Sequence, residues 1–111
     1  MLGTGVVVNR AGTCLAALAM APGGRPFLVA CEAAKVTWRA AVPLEEGAPG
    51  DVWAPSPLLP VRVRHPLFDA TPAELVRRYC TERGALDRGA LRALAEAHRR
   101  RAAWLPDPAG G

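Results

Sequence analysis

Between Thr71 and Leu105 the chain reads TPAELVRRYCTERG and then ALDRGALRALAEAHRRRAAWL, and no other stretch restricts the fold as much. The spacing predicts two short helices joined at Gly84. Thr71 is placed to accept a hydrogen bond from a first-turn backbone N–H while Glu74 reaches back, a T-x-x-E capping box. Pro72 costs nothing at a first helical position, where an N–H has no intrahelical partner to lose. Gly84 suits the left-handed residue that often closes a helix. Leu75, Val76, Tyr79 and Cys80 then share one face, with Arg77, Arg78, Thr81 and Glu82 on the other. For the second helix Asp87 is the expected N-cap, and Leu86 could staple onto Leu91. Leu91, Leu94, Ala95, His98, Ala102 and Leu105 trace one apolar stripe at helical spacing. Arg88, Arg92 and Arg99 line up along its flank. Pro106 and Pro108 end the helix, and residues 106–111 are expected to fray.

Upstream the punctuation changes to that of strands. Val6-Val7-Val8 reads as a first strand ending in the turn Asn9-Arg10-Ala11-Gly12. Thr13 to Ala21 is an apolar run too short for periodicity to separate strand from helix. Pro22-Gly23-Gly24 breaks the chain, and Pro26 to Cys31 resumes it as a strand. Val36, Trp38, Ala40 and Val42 alternate with Lys35, Thr37, Arg39 and Ala41, a period of two that should bury Trp38. Residues 1–42 are therefore expected to be β-rich. Residues 43–60, with Pro43, Pro49, Pro55, Pro57 and Pro60, form a stiff proline- and glycine-rich loop that Trp53 pins to the core. Residues 61–65 supply a last strand, with Arg62 and Arg64 facing water. The expected architecture is a single α+β domain over 1–111. It has an N-terminal antiparallel β-meander of roughly three to five strands, with a C-terminal two-helix hairpin, residues 71–105, packed on one face.

Half of the residues are apolar and 22% are charged, which places the chain among globular proteins. A net charge of +4 draws anionic partners by long-range attraction. Lys35 is the lone lysine among 14 basic side chains, and an arginine bias suits bidentate contact with phosphate or carboxylate. Codons rich in G and C would produce the same bias. Cys14, Cys31 and Cys80 are odd in number and lack C-x-x-C spacing, so a reduced, cytoplasmic chain is expected. A secretory leader around Arg10 and AGTCLAALAMA is the competing reading, and Val6-Val7-Val8 ahead of the charge spoils its order. No apolar stretch approaches the length of a membrane span.

Candidate chemistry is sparse. Cys14, Cys31, Cys80, His65 and His98 share no ligand spacing, so no metal is expected, and no cofactor. A cysteine nucleophile would need His65 or His98 as its base. Glu45-Glu46 sits in the proline-rich loop, where adjacent carboxylates are solvated, and Gly3-x-Gly5 lacks the remainder of a dinucleotide loop. The arginines are the strongest signal. Arg77, Arg78, Arg88, Arg92 and Arg99, with Trp104 as an apolar anchor, predict a contact surface on the helical pair. The resulting expectation is a small non-catalytic binding or regulatory module for a protein partner or a second copy of itself. Nucleic-acid binding through the same arginines is the alternative, and a small enzyme of unknown reaction the second alternative.

Overall fold

The computed structural model of the chain describes residues 1–54 and 56–105. Strand β1, Val7–Arg10, runs into a turn at Gly12, whose φ of 105° is open to glycine and strained for other residues. Helix α1, Thr13–Met20, follows, so the ambiguous run at 13–21 is helical. From Leu15 to Met20 its sequence, LAALAM, is made of good helix formers, and the helix has no side-chain cap of its own. The cap comes from strand β3, Phe68–Thr71: Asp69 Oδ2 accepts the amides of Gly12 at 2.8 Å and Cys14 at 3.1 Å. A carboxylate there also faces the positive end of the helix dipole. β1 and β3 pair antiparallel, with Val7 opposite Thr71 and Asn9 opposite Asp69.

A second sheet holds β2, Leu28–Ala30, parallel to β4, Arg78–Thr81, which turns back into β5, Gly84–Leu86. The first helix of the expected pair is therefore absent, and residues 71–83 correct that reading. Thr71 is buried in β3, Pro72 is extended at ψ 144°, and Ala73–Leu75 makes one 3-10 turn and stops. Val76, Tyr79 and Thr81 are β-branched or aromatic, which suits extended backbone, and Arg78–Thr81 forms the central strand of this sheet, paired with β2 on one side and β5 on the other. Arg77 N donates to Phe27 O at 2.8 Å, which begins that pairing. Gly84, with φ 107°, closes a two-residue hairpin instead of ending a helix.

Helix α2, Arg88–Ala102, forms as expected, capped by Asp87 Oδ1 accepting from Ala90 N at 2.8 Å. Its stripe buries Leu91, Leu94 and Ala95 against Val7, Ala33, Val36 and Tyr79, the main core. His98 Nδ1 lies 2.8 Å from Val36 O. The α+β class stands, but the strand arrangement is not a simple meander, since β2 and β4 are parallel and β1 pairs with β3.

Three further expectations change. The alternating run at 35–42 reduces to a bridge between Leu2 and Thr37, and Trp38 is 44% exposed instead of buried. Residues 61–65 make no strand, only the neighbouring bridge of Glu46 with Pro66. Trp53 is 56% exposed, so it does not pin the loop. In the first two cases a short apolar alternation lacks a neighbouring strand long enough to bury it. The expectation of a frayed tail at 106–111 falls outside the described residues. The molecule is a slab, 54 × 48 × 19 Å, with a radius of gyration of 17.5 Å. A compact domain of this length would have about 13 Å.

Candidate functional site

Two clefts flank the parallel pair. At the carboxyl ends of β2 and β4, where open sheets with parallel strands usually receive ligands, a cavity of 470 Å³ is lined by Cys31, Glu32, Lys35, Cys80, Thr81 and Glu82. The Glu82 carboxylate accepts the Ala33 amide through both oxygens, at 2.9 and 3.2 Å. Those backbone hydrogen bonds hold its pKa below the usual carboxylate range, so it is an ion fixed in place. Cys31 Sγ donates to Glu32 O at 3.3 Å. Burial pushes this thiol's pKa up, outweighing the attraction of Lys35 and the amino terminus. It is thus a protonated, weak donor and not a thiolate nucleophile. Together these groups present a cation, a thiol and a backbone-bound carboxylate at one strand end.

At the opposite, amino ends of the same strands a cleft of 530 Å³ gathers Arg25, Arg77, Arg78 and Arg88 with Glu74 and Asp87. Arg78 opens β4 and donates through Nη1 to Arg77 O at 2.8 Å. Arg88 opens α2, donates through Nε to Thr4 O at 2.9 Å, and lies 3.5 Å from Glu74. Three of the arginines singled out in the sequence therefore meet here. Arg92 and Arg99 do not: they line a separate cleft with Trp38 and Glu96, where Arg99 pairs with Glu96 at 2.6 Å. Trp104 stands 90% exposed at the end of α2 and lines neither. Arg25 was not foreseen, because Gly24-Arg25-Pro26 is a break whose spatial neighbour lies half the chain away. The expected single basic face on a helical pair is thus divided, because one member of the pair is a hairpin of strands.

His65 Nδ1 faces Ala48 O at 3.3 Å and His98 faces a backbone carbonyl, so neither ring is hydrogen-bonded to a thiol or carboxylate among the described residues. Nor, among the described residues, do three His, Cys, Asp or Glu side chains converge as a metal ion would require. No helix among them is long and apolar enough to cross a membrane.

Comparison with known proteins adds what the side chains alone do not. The sequence profile of the Initiation factor 2 subunit family, IF-2B, matches residues 1–88. The methylthioribose-1-phosphate isomerase of Albidiferax ferrireducens is 40% identical over 93 residues, which cover 74% of this chain and 25% of that protein. The crystal structure of 5-methylthioribose 1-phosphate isomerase from Pyrococcus horikoshii superposes with a TM-score of 0.72 at 24% identity, covering 90% of this chain and 30% of that one. The translation initiation factor eIF-2B of the same organism gives 0.61 at 39% identity, covering 77% and 30%. A tetrameric eIF2B-beta2-delta2 complex from C. thermophilum contains a chain of similar fold, with a TM-score of 0.60 at 20% identity. The curated relatives are isomerases, which overturns the expectation of a non-catalytic binding module. Nucleic-acid binding through the arginines is likewise unsupported, none of these relatives being named for it.

Proposed function

The chain belongs to the Initiation factor 2 subunit family, and from that premise we propose that it serves the isomerisation of a phosphorylated thiosugar of the methylthioribose 1-phosphate kind. The observation that carries this reading is the 40% identity to an isomerase of that name. The chain spans 25% of that relative, so the activity is proposed from likeness and not from a full set of reacting groups. The carboxyl-end crevice is the part of the site we assign to this chain. Lys35 there offers an ammonium to substrate oxygens, Cys31 a neutral donor, and Glu82 positions the turn at 33–35 that carries Lys35. The test is 31P NMR of methylthioribose 1-phosphate incubated with the protein. A new phosphate resonance should grow at the substrate's expense, and no conversion at stoichiometric protein overturns the reading.

A second reading rests on the 39% identity to an archaeal eIF-2B structure. There the chain would be an assembling subunit with no turnover, so light scattering on the NMR sample would show a mass above one chain while the substrate stays intact. Association with a second copy or a related subunit is compatible with both readings. A cytoplasmic location is proposed from the three free cysteines, to be checked by cell fractionation.

A further inference from the structure

We infer that the cleft at the amino ends of β2 and β4 is a binding site for a small phosphorylated molecule, separate from the carboxyl-end crevice. Four arginines, Arg25, Arg77, Arg78 and Arg88, line this cleft with Glu74 and Asp87. Arg78 donates through Nη1 to Arg77 O and Arg88 through Nε to Thr4 O, which leaves the other guanidinium nitrogens of each as donors. Of the two carboxylates, Asp87 is engaged by the Ala90 amide at 2.8 Å. The other, Glu74, is solvent-exposed and, among the described residues, forms an ion pair with Arg88 at 3.5 Å. Among the described residues Arg25, Arg77 and Arg78 form no ion pair. Like charges crowded into a concavity raise the potential there, and a dianion relieves it.

Shape and chemistry point the same way. At 530 Å³ the cleft falls within the range of about 300–1,000 Å³ typical of small-ligand sites. That is too small for a macromolecular face, and it fits a phosphate with a modest organic body. All four cations are arginines, whose planar fork matches two phosphate oxygens at once, which a lysine ammonium does not. Each is rooted on a held backbone. Arg25 N donates to Met20 O at 3.3 Å, Arg77 N to Phe27 O at 2.8 Å, Arg78 begins a strand and Arg88 a helix. Pro26 and Phe27 add an apolar wall beside the charges. The ends of the strands separate this site from Lys35 and Cys31, so occupancy here does not compete for the crevice assigned to the isomerised sugar.

The test is titration of 15N-labelled protein with pyrophosphate and with inorganic phosphate at low salt. Amide shifts should concentrate at residues 24–28, 73–78 and 87–89, with pyrophosphate the tighter ligand. The double variant Arg25→Ala/Arg77→Ala should weaken binding by about tenfold or more. Arg25→Lys/Arg77→Lys, which keeps the charge and loses the fork, should retain part of it. Arg100→Ala/Arg101→Ala, on the far end of α2, should leave the affinity unchanged. Thermal melting of each variant checks that the fold persists. Absence of binding by the wild-type chain, equal loss in the two alanine doubles, or shifts centred on residues 99–101 would each overturn the site. Because the readout is binding of pyrophosphate and not turnover, failure of the isomerase reading leaves this result standing, and the reverse holds too.

Discussion

Tyr79 donates its hydroxyl to Gly5 O at 2.6 Å, joining positions 74 residues apart inside the core. Gly5 has φ 96°, and a Cβ built there would lie 2.7 Å from Ala73 Cβ and 2.8 Å from the Tyr79 oxygen. Gly5→Ala should therefore destabilise the protein by about 2 kcal/mol or more through strain and overpacking, read as a drop in denaturant midpoint. Thr71 is fully buried, and among the described residues its Oγ1 has no hydrogen-bond partner. Thr71→Val keeps the shape and removes the stranded hydroxyl, so it should raise the melting temperature by an amount corresponding to about 1 kcal/mol. A lower melting temperature would show that the hydroxyl is bonded in solution. Glu82 gives a pH dependence. Its carboxylate has a lower pKa folded than unfolded, so its contribution is present above the ordinary carboxylate range and is lost as pH falls through the folded value. Glu82→Gln should flatten that acid limb of the stability curve and leave the neutral plateau's slope unchanged. None of these residues could be singled out from the sequence for these roles, because each acts through a neighbour remote in the chain.

Among the elements, α2 and the N-terminal half of the chain mark what local signals carry. Asp87 followed by a clean 3.6-residue apolar stripe needs no distant partner to declare a helix, and α2 forms where that pattern lies. The T-x-x-E box at Thr71 carried equal local weight and failed. Thr71 pairs with Val7 and Arg78–Cys80 with β2, and these long-range pairings take the backbone groups that a helix there would use. Helix α1 is the converse case, lacking any start signal of its own and taking its cap from Asp69, 57 residues away from Gly12. Asp69→Ala should cost about 1–2 kcal/mol and reduce helical circular dichroism, whereas Asp69→Asn, still an acceptor, should recover part of the loss. If Asp69→Ala leaves the helical signal unchanged, the cap is incidental. The same reasoning accounts for the site. Arg77, Arg78 and Arg88 could be picked out as basic residues, but their meeting with Arg25 required the parallel pairing that no local pattern encodes.

At the scale of the molecule, a thickness of 19 Å leaves room for little more than one layer of helix on one of sheet. Leu15 and Leu18 on α1 consequently stand exposed, as do Trp38, Trp53 and Trp104. Surfaces of this kind drive association. Light scattering across a concentration series should show mass rising with concentration, and Leu15→Glu/Leu18→Glu should reduce that rise. An unchanged profile would place the association elsewhere on the slab. The parallel pairing of β2 with β4 also has a consequence for biosynthesis. A ribosome extrudes β2 first, and its partner follows only after the whole proline-rich loop has emerged, a delay on the order of seconds. Throughout that interval the nascent edge is open to chaperones and proteases, so chains arrested before Arg78 should be degraded while those released beyond Ala102, with α2 in place over the core, survive.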